Sequence, residues 1–167
     1  MTTMKETEKN QLAKISSFLD SISNRLIEEL KTVLNGDFGL YKNHTVSNVD
    51  LFDFEVSADG YAVSLYPMDA ESTQLGYKQI LSEYPNGFLR DTDLVLDTDS
   101  YDFDSDADMD RMDEPYDKLQ MIFTKWFGDC WQAVGGLETD RKFYLAMHDS
   151  NRSLDLKSRK WVSNRNK

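Results

Sequence analysis

Phe52-Asp53-Phe54-Glu55-Val56-Ser57-Ala58-Asp59-Gly60-Tyr61-Ala62-Val63-Ser64-Leu65 is the stretch that decides the fold class. Apolar Phe52, Phe54, Val56 and Ala58 alternate with polar Asp53, Glu55 and Ser57, the period-two pattern of a half-buried strand. Tyr61, Val63 and Leu65 repeat the pattern after Asp59-Gly60, a pair that favours a two-residue type I′ turn because both central residues need φ > 0. With that turn Ala58 faces Tyr61, Val56 faces Val63 and Phe54 faces Leu65, so both apolar sets fall on one side of the sheet. A slip of one residue would turn one strand's apolar set to the wrong face, so turn and pattern specify the same register.

Helical patterns flank this hairpin. Upstream, Leu12, Ile15, Leu19, Ile22, Leu26, Leu30 and Val33 recur at steps of three and four, which predicts a long helix over roughly 7–34, stopped at Asn35-Gly36. Such a narrow stripe suits a helix laid over a sheet, and also a coiled-coil seam. Downstream, Pro67 ends the second strand. Asp69 to Thr73 then starts a short helix carrying Tyr77, Ile80, Leu81 and Tyr84, broken by Pro85-Asn86-Gly87. A third helix is predicted over about 114–134, with Asp113 as N-cap and Pro115 in the first turn. Its face of Leu119, Ile122, Phe123, Trp126, Phe127 and Cys130 is broad enough to be buried, with Trp131 half exposed at its edge, and Gly135-Gly136 ends it. Phe143, Leu145 and Met147 make a third strand; Leu154 and Leu156 mark a short fourth. The expected fold is therefore α+β: one domain spanning 1–167, with a small, mainly antiparallel sheet of about four strands. That sheet packs against the long N-terminal helix and the Trp-rich third helix. The basic tail (Lys157, Arg159, Lys160, Arg165, Lys167) is expected to be flexible after about 162, with Trp161 available as an anchor.

Composition narrows the setting. The chain has 167 residues, enough for a sizeable core without staples, and a single cysteine, Cys130, so no intrachain disulfide forms. Residues 1–10 are polar and charged and do not read as a signal peptide, and no apolar run reaches the length of a membrane span. A cytoplasmic location is the expectation. Net charge is −11, and its placement matters more than its size. Residues 91–117 hold eleven Asp and one Glu against one Arg, while the rest of the chain has 18 acids and 18 bases. The acidity is one local object, which repels nucleic acid and anionic membrane and attracts a basic partner.

Within it, Asp97, Asp99, Asp102, Asp104, Asp106, Asp108 and Asp110 are the candidate partner-binding residues. Three readings fit the run. It can be a solvated loop. It can be a calcium loop starting at Asp102, with acids at loop positions 1, 3, 5, 7, 9 and 12; but Ala107 stands where a calcium loop of that type needs Gly, and Asp113 where it wants Glu. It can also be a surface that caps a basic cleft. Crowded carboxylates repel one another by about 1 kcal/mol per pair at 4 Å in water, a cost that a cationic partner relieves.

Catalytic and cofactor motifs are absent. His148-Asp149-Ser150 holds the residue types of a hydrolase triad, but triads assemble from distant segments and no G-x-S-x-G elbow accompanies it. His44 and His148 with Cys130 make no zinc spacing, and Cys130 reads as a core residue. No phosphate-binding glycine motif occurs. The stretch Trp126-Phe127-Gly128-Asp129-Cys130-Trp131, then Gly135-Gly136, His148-Asp149-Ser150, Asp155-Leu156 and Trp161, resembles small acidic bacterial proteins of the toxin-immunity type over the C-terminal third. The resemblance implies a non-enzymatic immunity or inhibitor protein, without cofactor or metal, that neutralises a basic partner such as a toxin nuclease. The alternative is a small enzyme or calcium-dependent regulator whose site forms only in three dimensions.

Overall fold

The computed structural model describes residues 4–94, 96, 104 and 106–167, and for 107–112 and 165 the backbone alone. The chain is α+β. Helix α1 (Glu6–Leu34) leads into a meander of β1 (Leu51–Val56), β2 (Val63–Met68) and β3 (Lys78–Ile80). A short helix α2 (Phe88–Asp91) and the long α3 (Asp106–Ala133) then lead into β4 (Lys142–Met147), β5 (Arg152–Asp155) and β6 (Lys160–Ser163). Among the described residues no helix is long and apolar enough to cross a membrane.

Among the described residues the sheet has six strands in the order β3-β2-β1-β4-β5-β6, where about four were expected. It is mixed. Both meanders are antiparallel within themselves, but their first strands, β1 and β4, pair in parallel at the centre, Phe54 beside Leu145. A parallel pair needs a crossover, which the α2–α3 segment supplies.

β1 and β2 pair in the register the alternation predicts, Phe54 with Leu65 and Val56 with Val63. The turn differs. Four residues, Ala58 to Tyr61, bridge the strands, with the Tyr61 amide donating to the Ser57 carbonyl at 3.2 Å and the Ser57 amide to the Ala62 carbonyl at 2.9 Å. Tyr61, at φ 60°, takes the left-handed conformation, and neither Asp59 nor Gly60 does. Gly60 is glycine for another reason. A Cβ there would lie 2.0 Å from the Asn86 carbonyl oxygen, and one on Gly87 (φ +94°) 1.8 Å from the Gly60 carbonyl oxygen. The two glycines let the hairpin loop and the start of α2 touch backbone to backbone, and the Leu89 amide donates to Gly60 at 3.1 Å.

The short helix expected after Asp69 is not formed. The Asp69 carboxylate accepts the amides of Glu71 and Thr73 at 2.9 and 2.7 Å, closing a tight turn that sends the chain back along β2 as β3. Local side-chain bonding of this kind competes with helix. α3 begins at Asp106, earlier than the expected 114, so Asp113 is an interior residue and not a cap, and Pro115 lies within the helix. Carboxylates in first turns are favoured by the helix dipole, which offsets the poor interior propensity of Asp. The basic C-terminal stretch contributes β6 and a 3-10 turn, Asn164–Asn166.

One core lies between one sheet face and the two long helices. Phe52, Phe54 and Val56 from β1, Val63 and Leu65 from β2, and Phe143 and Leu145 from β4 are buried against Leu19, Leu26 and Leu30 of α1 and Phe123 and Phe127 of α3. Trp131, expected to be half exposed, is fully buried, its ring 4.6 Å from that of Phe143. α1 packs on α3 as well as on the sheet, with the Trp126 indole donating to Ser23 Oγ at 2.8 Å, so its stripe is not a coiled-coil seam.

Candidate functional site

The aspartate run divides into three parts. Asp97, Asp99 and Asp102 lie outside the described residues. Asp104 stands in an exposed turn, and Asp106 is the exposed first residue of α3. Asp108 and Asp110 belong to the opening turns of that helix, followed by exposed Asp113 and Asp117. Helix from Asp106 onward is incompatible with the calcium-loop reading, because positions 5 to 12 of such a loop must wrap around the ion and offer a free backbone carbonyl. Among the described residues no group of three or more His, Cys, Asp or Glu is placed to hold a metal ion.

A second region has no counterpart in the sequence-based reading. Because both long helices cover one face of the sheet, the polar half of each alternating strand is left on the other. Asp53 sits between Tyr66 on β2 and Tyr144 on β4 as direct cross-strand neighbours, and Glu55 between Ser64 and Ala146. Tyr66 adds a ring contact with Tyr77 at 5.6 Å. Lys167 folds back onto this face. Its Nζ donates to Asp53 Oδ1 at 2.7 Å and lies 5.4 Å from the centre of the Tyr144 ring, with only 12% of its side chain exposed. Burial pushes the Asp53 carboxyl above its usual range, and the Lys167 ammonium opposes that shift. Burial also raises the phenols of Tyr66 and Tyr144, with Asp155, Asp53 and Asp50 adding to the effect at Tyr144. The signal that could have found this face was the set of polar residues interleaved in the strands, which sequence reasoning treated only as the outside of the hairpin.

His148 closes one end of the face. Its amide donates to the Val56 carbonyl at 2.8 Å, fixing it at the end of β4, and its Nδ1 lies 2.8 Å from Glu55 Oε1. The hydrogen bond with Glu55 and the nearby Asp149 carboxylate raise its pKa. Ser150 does not join it: the Ser150 hydroxyl donates to the Arg152 carbonyl at 3.0 Å, so the adjacent His-Asp-Ser residues form no nucleophile–base pair. Cys130 is buried on α3, and burial pushes its thiol up to about 11, which suppresses the reactive thiolate.

Compared with protein-family models, with curated proteins and with solved structures, the chain finds no match.

Proposed function

We propose that this chain is a cytoplasmic binding protein without catalytic activity, an immunity or inhibitor protein that neutralises a basic partner such as a toxin nuclease. The observation that carries the reading is the segregation of charge: residues 91–117 hold a net −11 while the remainder is balanced. Exposed Asp106, Asp113 and Asp117 put part of that charge on the first turns of α3, with exposed Asp104 in the turn before it, so the charge is not wholly on a loop. A patch of this kind speeds encounter with a cationic surface, and a nuclease cleft built to hold phosphates carries the matching lysines and arginines.

The test takes a candidate basic toxin nuclease domain and measures its association rate with this chain across an ionic-strength series. Wild type is compared with a variant carrying Asp104→Asn, Asp106→Asn, Asp113→Asn and Asp117→Asn. Steering by the patch predicts a loss of about tenfold or more in on-rate at low salt and a flatter salt dependence. An unchanged on-rate with an unchanged salt slope rejects the reading.

A further inference from the structure

Among the described residues, grooves cross the uncovered face of the sheet, and Asp53 stands where two of them meet. The first, about 430 Å³, runs past Asp50, Asp53, Asp69 and Lys167. The second, about 290 Å³, runs from Asp53 past Tyr66 to Glu55. The third, about 490 Å³, continues from Glu55 to Asp59 and His148. Carboxylates line all three, and two of them face an ammonium: Asp50 faces Lys142 at 3.6 Å, and Asp53 holds Lys167 more closely. Lys167 Nζ is held at 2.7 Å by Asp53 and faces the Tyr144 ring, out of most of the solvent. A carboxylate paired with an aromatic face recognises a primary ammonium through one charge-assisted hydrogen bond and one cation–π contact.

A single secondary-structure element precedes Lys167 directly. It is the 3-10 turn Asn164–Asn166, anchored where Asn164 Oδ1 accepts the Ser153 hydroxyl at 2.7 Å and its Nδ2 donates to the Ser150 carbonyl at 2.8 Å. Asp53, by contrast, is on the central strand of the sheet with a tyrosine on either side. The receptor half of the contact sits on a central strand, and the occupant half directly follows a 3-10 turn.

We propose that Asp53, flanked by Tyr66 and Tyr144, is a recognition site for a lysine side chain of a protein partner, occupied in cis by Lys167 until the partner's lysine displaces it. The site goes beyond the function proposed above, because it lies on the sheet face and does not depend on the aspartate run.

The probe is an acetylated and amidated tri-lysine peptide, titrated into the full chain and followed by NMR at the amides of Asp53, Tyr66 and Tyr144. A cis occupant lowers apparent affinity by the fraction of time it holds the site, so Lys167→Ala should bind the peptide about fivefold more tightly than wild type. Asp53→Asn in the Lys167→Ala background should remove that gain, with the amide shifts of Phe52 and Phe54 reporting that the strand is intact. Tyr144→Phe should retain binding and Tyr144→Leu should weaken it, which separates an aromatic contact from a packing role. The same peptide with all three Nε acetylated should not shift these amides. Equal affinity of wild type and Lys167→Ala, or a gain that survives Asp53→Asn, overturns the inference. The variant lacking Asp104, Asp106, Asp113 and Asp117 carboxylates separates it from the reading above. Shifts at Tyr144 that persist in that variant support the lysine site whatever becomes of the run. Loss of every shift there places the peptide on the run and overturns the lysine site.

Discussion

Gly60→Asn discriminates between two reasons for the same glycine. In a type I′ turn Gly60 serves φ > 0, and Asn, which tolerates the left-handed region, would replace it at little cost. In the structure Gly60 has no positive φ, and its missing side chain leaves room for the Asn86 carbonyl, 2.0 Å from where a Cβ would sit. Ordinary contact needs about 3.5 Å. The loop and the Pro85–Gly87 segment would therefore have to part by more than an ångström. That displacement strains a packed region at about 1–3 kcal/mol, and it breaks the Leu89-to-Gly60 hydrogen bond, worth about 1 kcal/mol. Phe88, fully buried and stacked on Phe123 with ring centres 5.8 Å apart, moves with it. The expected loss is about 2–4 kcal/mol, a fall in Tm of roughly 4–16 °C for a domain of this size. Gly60→Ala and Gly60→Asn should be equally damaging in urea and thermal unfolding. If Gly60→Asn unfolds within about 0.5 kcal/mol of wild type while Gly60→Ala does not, the backbone-contact argument is wrong and the turn is the left-handed one.

Other outcomes follow from single contacts. Cys130, with its thiol pushed up to about 11 by burial, should resist Ellman's reagent at pH 8 until denaturant is added, and full labelling within seconds in the native state would contradict its placement. Ser23→Ala leaves the indole N–H of buried Trp126 without its acceptor and should lower stability by about 1 kcal/mol net of the gain in helix propensity, read from urea midpoints. His148 should titrate above the ordinary imidazole range by NMR, and Glu55→Gln should bring the midpoint back down. Because the folded pKa is the higher one, the small stabilisation from this exposed pair is fully present below the unfolded pKa and is lost as pH rises through the folded value; a midpoint unmoved by Glu55→Gln would deny the pairing.

Strand alternation and the long helical stripe came out as read, while the turn at Asp59-Gly60, the helix after Asp69 and the cap at Asp113 did not, although those signals are local too. The β1–β2 register was legible because Phe54, Val56, Val63 and Leu65 alternate cleanly on both sides of a short loop. α1 was legible because its stripe from Leu12 to Val33 lies in a helix of 29 residues without Gly or Pro. The pattern Tyr77, Ile80, Leu81, Tyr84 imitates a helical stripe, yet Ile80 is buried against the core as a β3 residue and Tyr77 meets Tyr66 on the opposite face. Nothing local to Tyr77 or Ile80 states that Asp69 will close a turn and aim them at β2. The parallel pairing of Phe54 with Leu145 joins segments some ninety residues apart, and alternation alone carries no sign of parallel or antiparallel. Of the candidate site, the charge of the aspartate run could be read directly, but its change to helix at Asp106 could not, since Asp is a weak helix former away from first turns. Asp53 and Glu55 were visible as polar positions, but their tyrosine neighbours come from β2 and β4 and appear only in the folded sheet.

The topology explains why one face is available for binding at all. The order helix then three-strand meander occurs twice, α1 before β1–β3 and α3 before β4–β6, and both helices cover the same side of the sheet. With both helices spent on that side, the other must be held by residues that tolerate water, and the strands meet the demand with carboxylates and tyrosines. Those carboxylates act at a different range from the aspartates at the start of α3. Asp53 is paired with Lys167 at 2.7 Å and Asp50 lies 3.6 Å from Lys142, so the local charge is largely offset and projects little field. The run from 91 to 117 has one arginine against twelve acids and keeps its field out to the Debye length, ~8 Å at physiological salt. Under the proposed function the two surfaces therefore divide the work by distance. The run draws a basic partner in, and the sheet face offers short-range pockets where an arriving lysine exchanges with Lys167. Exchange of one ammonium for another leaves the charge of the Asp53 pocket unchanged, so binding there should depend on salt far less than the on-rate does.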